Sequence, residues 1–379
     1  MKGKVIVHII TGLNNGGAEA VLFRLVTNDR PNKHIIISMM GMGKYGALLR
    51  EAGILVRCLN MPKGRVNLKG LIYLWKLIRR SEPDVVQTWM YHADIIGGAL
   101  ARLAGVRNLI WGVRNSTLVP GLTSRTTILV ARLCATASYL IPYRIVTCAQ
   151  RALDVHIALG YSPSKFFLIP NGYDLNHYKP DSHSRKRLRL EWGINERVTL
   201  LGMVARFDPQ KDIDNFLQAL KIVSDINPNF HCVLIGSGMD MGNTQLIESL
   251  TRNGVEKKVS LLGPHNHIAA VMNALDIHIL SSKFGEAFPN VLAEAMACGT
   301  PCISTDVGDA KIIINNTGWI VPPQSPQSLS GAILEALELI KEKERWNLLQ
   351  QECRNHIVDN FSIDRMVNTY HTVWTNIKL

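Results

Sequence analysis

Residues 5–26 read VIVHIITGLNNGGAEAVLFRLV, and the fold is decided by how this stretch divides. Residues 5–10 form a short apolar run of the kind buried on both faces inside a parallel sheet. A turn-rich loop over residues 11–17 follows, and residues 18–26 carry the periodicity of a helix. Strand, loop and helix in that order are the repeating unit of a doubly wound α/β sheet.

The unit recurs outward from this start. Further strands are predicted at residues 34–38, 54–59, 85–88, 109–113, 145–148 and 166–169, with helical patterns between most of them. The alternation breaks at Pro170-Asn171-Gly172, which is turn chemistry, and at the basic stretch 179–189, which is poor core material. It then restarts, with strands predicted at 199–205, 232–235, 259–262, 277–280, 302–304 and 319–321. Helices are predicted at 213–223, 244–251, 268–274, 291–297 and 329–340. A last helix, 363–377, has no strand after it.

A chain of 379 residues exceeds one comfortable core at roughly 150 residues per domain. We therefore expect two Rossmann-like doubly wound domains, residues 1–170 and 171–360, facing a cleft. Residues 361–379 form a C-terminal helix expected to pack back on the first domain.

Composition narrows the partners. A net charge of +12 favours phosphate-bearing partners, yet no zinc-finger spacing or aromatic-basic alternation points to nucleic acid. The seven cysteines are odd in number and scattered through apolar runs, which predicts buried free thiols in a reducing compartment. No secretory cleavage pattern is visible, and the longest apolar stretch, 126–141, is interrupted by Arg132 and too short to span a bilayer. A cytoplasmic protein is expected, peripheral at the inner face of the cytoplasmic membrane.

In such sheets ligands bind beyond the carboxyl ends of the strands, so the loops there carry the chemistry. After the first strand, Gly16-Gly17 opens a helix, and backbone N–H groups at a helix start suit an anion. It is not a dinucleotide fingerprint. After the first strand of the second half, Arg206 and Lys211 share a loop bent by Pro209 and could clamp a diphosphate. Asp212-Ile213-Asp214 reads as the acidic start of a helix and not as a metal site.

The richest block is Phe284-Gly285-Glu286-Ala287-Phe288-Pro289-Asn290-Val291-Leu292-Ala293-Glu294, closed by Gly299-Thr300-Pro301. Pro289 is tolerated at a helix start and not inside one, which sets Glu286 in the loop and Glu294 about a turn into the helix.

This Glu-x7-Glu block resembles the donor-binding motif of the family 4 retaining glycosyltransferases of the GT-B fold. The Arg206/Lys211 loop, Gly16-Gly17, residues 169–174, Asp306-Val307-Gly308-Asp309 and Thr317-Gly318 are similar as well. The resemblance implies that Arg206 and Lys211 hold the donor diphosphate, Glu294 the ribose and Glu286 the transferred sugar. It implies that Phe288, Pro289, Asn290, Val291 and Leu292 line the sugar and phosphate site, and that Gly16 and Gly17 close over the phosphates. His92 stands where similar enzymes set a histidine beside sugar and acceptor.

The expected activity is retaining, metal-independent transfer of a sugar from a nucleoside diphosphate. The donor is a co-substrate, a UDP-hexose or UDP-N-acetylhexosamine by family frequency, and no other cofactor is expected. The expected acceptor is a glycan or a polyprenyl-phosphate-linked lipid in polysaccharide, lipopolysaccharide or O-antigen-type assembly. Basic Lys63, Arg65, Arg125, Arg132 and Arg144 in the first half suggest an anionic membrane surface. The alternatives are a sugar-nucleotide epimerase of the same fold and a non-catalytic nucleotide-binding protein.

Overall fold

The structure, a computed structural model, describes residues 3–375 except 63, 119, 120 and 122. Lys63 and the end of the predicted 363–377 helix therefore lie outside the described residues. The chain divides into two units, Met1–Gly172 with Ile363–Leu379, and Tyr173–Ser362.

Unit 1 runs β1 (Val5–Ile10), α1 (Gly17–Asn28), β2 (Lys33–Ser38), α2 (Gly43–Glu51), β3 (Leu55–Cys58), α3 (Leu68–Ser81), β4 (Val85–Trp89), α4 (Gly98–Leu103), β5 (Leu109–Val113), α5 (Arg125–Ala137), β6 (Arg144–Thr147), α6 (Gln150–Ala158) and β7 (Phe166–Leu168). Among the described residues these strands form a seven-stranded parallel sheet in the order β3-β2-β1-β4-β5-β6-β7. Ile6, Ile10 and Trp89 face a core with α1, while Val7, Ile9 and Trp111 face α3, α4 and α5 on the other side. Burial on both faces is why the strands read as apolar runs without alternation.

Unit 2 runs α7 (Ser182–Glu191), β8 (Thr199–Val204), α8 (Ile213–Ile226), β9 (Phe230–Ile235), α9 (Thr244–Asn253), β10 (Val259–Gly263), α10 (Ile268–Ala274), β11 (Ile277–Leu280), α11 (Asn290–Ala297), β12 (Cys302–Thr305), α12 (Ala310–Ile314), β13 (Trp319–Val321), α13 (Pro326–Leu339) and α14 (Lys343–Asn360). Its six described strands are parallel in the order β10-β9-β8-β11-β12-β13. Strand order reverses between β1 and β4 in unit 1 and between β8 and β11 in unit 2. Those two switch points are where a ligand crevice opens in each sheet.

Three elements differ from the sequence reading: α7, α14 and the short α12, none of them among the predicted helices. The basic stretch read as poor core material beside the domain boundary is α7, capped by Asp181, whose carboxylate accepts from the N–H groups of His183 and Ser184. Arg189 is fully buried there and donates to Asp276 at 3.1 Å, while Arg185, one turn earlier, donates to the other Asp276 oxygen at 2.7 Å. A shared carboxylate lets Arg189 lie fully buried with Arg185 partly buried beside it. Helix α14 was not expected: Trp346, Cys353 and Ile357 are its buried residues, a stripe too narrow to stand out in a polar sequence. Among the seven cysteines Cys58 is half-buried and the other six are buried, all of them free thiols.

The last helix, α15 (Ile363–Thr375), belongs to unit 1 and packs on α1 through Met366, Val367, Tyr370, Val373 and Trp374. Beneath it runs a directed hydrogen-bond chain. The Trp89 indole donates to His8 Nδ1 at 3.1 Å, His8 Nε2 donates to His34 Nδ1 at 3.0 Å, and His34 Nε2 donates to Asp29 at 3.1 Å. His371 of α15 closes it on the other Asp29 oxygen at 2.9 Å. Burial alone raises the Asp29 carboxyl, but the His34, Asn32 and His371 bonds outweigh it and hold the group at about 2.

Candidate active site

In unit 2 the loop after β8 is fixed before it can act. Ala205 N donates to Ile235 O and Phe207 N to Ser237 O, and the Asp208 carboxylate accepts from Gln210 N at 3.0 Å. Pro209–Lys211 is then a single 3-10 turn that aims Lys211 inward. Its ammonium lies 2.5 Å from Glu286 Oε1, and both side chains are only 12–13% exposed. Ser282 Oγ donates to the same Glu286 oxygen at 2.8 Å. Ser281 Oγ, in turn, ties the Lys211 carbonyl at 2.7 Å.

A third loop holds the second from behind. Gly308 has φ +65°, and a Cβ there would sit 2.6 Å from Glu286 O and 2.7 Å from Ala287 O. Asp309 N donates to Ala287 O at 2.9 Å. Backbone contact this close is available only to glycine, so Gly308 sets the position of Glu286.

Helix α11 begins at Asn290 with Pro289 in the cap position, and Asn290 Oδ1 accepts from the Tyr173 hydroxyl at 2.6 Å. A helix start leaves its first N–H groups without intrahelical partners, which makes it an anion site. Phe288 and Leu292 are buried, Phe288 edge-on to Phe361, whereas Val291 and Glu294 are partly exposed. Glu294 stands near enough to Cys298 that its charge adds to burial in raising that thiol.

Arg206 is not part of the Lys211–Glu286 contact. Its guanidinium is 70% exposed and reaches Asp208 at 3.8 Å. The acidic pair splits as well. Asp212, in the left-handed region at φ +49°, starts α8 without a side-chain cap and faces Lys283 at 3.7 Å, while Asp214 binds Ser249 and Arg252.

One residue here escaped the sequence reading. His278, inside β11, is fully buried, and neither ring nitrogen has a hydrogen-bond partner among the described residues. Burial, with the Lys211 charge, presses it down to about 3, so the ring is neutral behind the ammonium. The signal was a lone polar residue in the otherwise apolar run 277–280.

Unit 1 has a pocket of its own, about 490 Å³, at the switch point between β1 and β4. Thr11, Asn14, Glu19, His92, Arg114 and Thr127 are among its lining. Gly16 caps α1, and Gly17 is the helix's exposed first residue. The Glu19 carboxylate folds back onto this start, so that a Cβ on Gly16 would meet its Oε2 at 2.4 Å. Burial raises that carboxyl above its ordinary range. Arg114 donates to Asn171 at 2.8 Å and to the Tyr370 hydroxyl at 2.6 Å, joining the pocket rim to α15.

Beneath His92 the backbone is irregular. Met90 has φ +72°, and residues Ala93–Gly97 form a π-helical turn before α4, an irregularity common near functional sites. Asp94 in that turn is fully buried, accepting from Thr88 Oγ at 2.5 Å and Gly112 N at 3.2 Å. Burial raises its carboxyl to about 8, against the pull of those two bonds. Between about pH 4 and 8 the folded chain holds a proton that the unfolded chain releases. Its contribution to stability therefore falls as pH rises through that window and levels off above it. Asp94→Asn keeps both accepted bonds and is expected to exceed the parent in Tm at pH 8, the gap closing toward pH 4. Parallel melting curves against pH for the two proteins check this.

Two parallel-sheet Rossmann-like units, each with a switch point in its strand order, define the GT-B architecture of transferases. The Anabaena protein HepE crystallised with UDP has this fold, with a TM-score of 0.86 over 98% of this chain and all of that one, at 21% identity. The family description "Glycosyltransferase Family 4" matches residues 3–177, and "Glycosyl transferases group 1" matches residues 184–348. The chain belongs to glycosyltransferase family 4.

Two curated relatives are similar. The Escherichia coli UDP-Gal:alpha-D-GlcNAc-diphosphoundecaprenol alpha-1,3-galactosyltransferase is 27% identical over 308 residues, 80% of this chain and 78% of that protein. The Bacillus anthracis N-acetyl-alpha-D-glucosaminyl L-malate synthase is 29% identical over 195 residues, about half of each.

Proposed function

We propose that the chain transfers a hexose or N-acetylhexosamine, with retention, from its UDP conjugate to a lipid-linked glycan acceptor. The observation that carries this reading is the Lys211–Glu286 contact at the unit 2 switch point, beside the start of α11. Lys211, the exposed Arg206 and the first N–H groups of α11 meet the diphosphate. There they stabilise the negative charge that grows on the leaving oxygen. Glu286 receives hydroxyls of the sugar, Glu294 those of the ribose, and Phe288 to Leu292 line the site.

Attack comes from the face the diphosphate leaves, and the departing oxygen takes the acceptor proton. Glu286 positions the sugar and is not a covalent nucleophile, since its carboxylate is already engaged by Lys211 and Ser282. The fixed cations serve in place of a divalent ion. His92 and the unit 1 pocket receive the acceptor hydroxyl, and Gly16 and Gly17 add backbone N–H groups at the phosphates. The UDP-bound relative of the same fold supports the nucleotide, and the undecaprenol-linked substrate in the Escherichia coli relative's name supports the acceptor class.

The test is a panel of UDP- and GDP-sugars with EDTA present, read as nucleoside diphosphate release and as the anomeric configuration of the product. The reading expects one UDP-sugar to turn over with an α-linkage conserved from donor to product. No release from any donor overturns it, and an inverted anomer overturns retention.

A further inference from the structure

Charge is divided unevenly between the units. Unit 1 carries 24 Lys and Arg against 8 Asp and Glu, a net +16, while unit 2 carries 18 against 22, a net −4. The excess gathers on one layer. From residue 95 to 153 there is no acidic residue, nor from 52 to 81. These segments contain α3, α4 and α5, which together with α6 cover the same side of the sheet.

The same layer is unusually apolar on its outside. Nine of the eighteen exposed large apolar side chains among the described residues lie on α3–α6 or in the turn that ends α5, the helices that cover this side of the sheet. Leu68 is 71% exposed, Leu103 74% and Leu140 84%, and Leu129 and Leu133 follow one another along the outer stripe of α5. Exposed Lys69, Lys76, Arg79, Arg80, Arg125 and Arg132 stand among them.

Leucines interleaved with cations and almost no acid are the chemistry of a helix lying in an anionic bilayer interface. Apolar side chains enter the acyl boundary while Lys and Arg stems reach the headgroups. Nucleic acid would satisfy the cations and leave the leucines against water. No helix among the described residues is long and apolar enough to cross a membrane, so contact would be from one side.

We propose that the outer face of α3–α6 docks unit 1 on an anionic lipid bilayer. This deepens the proposed function and rests on its lipid-linked acceptor. Thr127, in the first turn of α5, lies in the wall of the unit 1 pocket, so the docked face runs from the acceptor's pocket to the lipid.

The experiment is flotation of the full chain with vesicles of phosphatidylcholine alone or with one-third phosphatidylglycerol. Binding is expected to be at least tenfold stronger to the anionic vesicles and to weaken with salt. The double variant Leu133→Asp, Leu140→Asp, at exposed sites, is expected to lose at least tenfold of that binding with an unchanged melting curve. Arg79→Glu with Arg80→Glu is the second variant and has the same expectation. Equal binding to both vesicle types, or variants that float like the parent, overturns the proposal, as does binding to an oligonucleotide in place of vesicles. UDP binding measured on the same samples separates the two readings. Vesicle binding without UDP binding leaves the docking face standing and removes the donor site.

Discussion

Lys211→Met is expected to lower kcat/KM for sugar transfer by about two to three orders of magnitude, the loss typical of removing one fixed charge from a developing anion. Methionine keeps most of the buried stem and removes only the ammonium. The leaving diphosphate then loses its inward cation, and Arg206 cannot replace it because its guanidinium stands 70% exposed and reaches Asp208, not Glu286. Glu286 keeps the Ser282 hydroxyl, so the fold is expected to survive. Glu286→Gln provides the contrast: it retains the Ser282 bond and the lysine, so UDP affinity should hold while kcat falls. Titrations with UDP beside steady-state kinetics separate the two effects. Equal turnover by parent and Lys211→Met would remove the ammonium from the chemistry.

Gly308→Ala is expected to cost about 2–4 kcal/mol in stability and most of the transfer activity. The residue is left-handed at φ +65°, and the new methyl would meet the Glu286 and Ala287 carbonyl oxygens at 2.6 and 2.7 Å. Two backbone oxygens cannot swing aside as a side chain can, so the loop carrying Glu286 must move. Chemical denaturation reads the first effect and kcat the second. A variant as stable and active as the parent would show that the loop position is not set by Gly308.

The alternation of apolar runs and periodic segments made both sheets legible, because parallel strands buried on two faces have few other readings. The carboxyl ends of β8 and β11 followed, and with them Arg206, Lys211, Glu286 and Glu294. Partnership was harder to see. The stretch containing Arg185 and Arg189 looks like solvated charge until Asp276, some 90 residues on in the chain, is brought beside it. Glu19 is one acid in the first turn of α1, and only the structure shows its carboxylate folded back against Gly16. Asp94 and His278 are single polar letters in buried segments, and only three-dimensional burial shows that one holds a proton and the other stays neutral. Helix α14 was lost for the opposite reason, its few buried residues being too sparse to set a period.

The most direct measurement is hydrogen–deuterium exchange of the full chain with and without saturating UDP. Slowed exchange is expected in residues 205–212 and 283–294, strongest at the amides that open α11. Protection confined to other segments, with these two unchanged, would contradict the account.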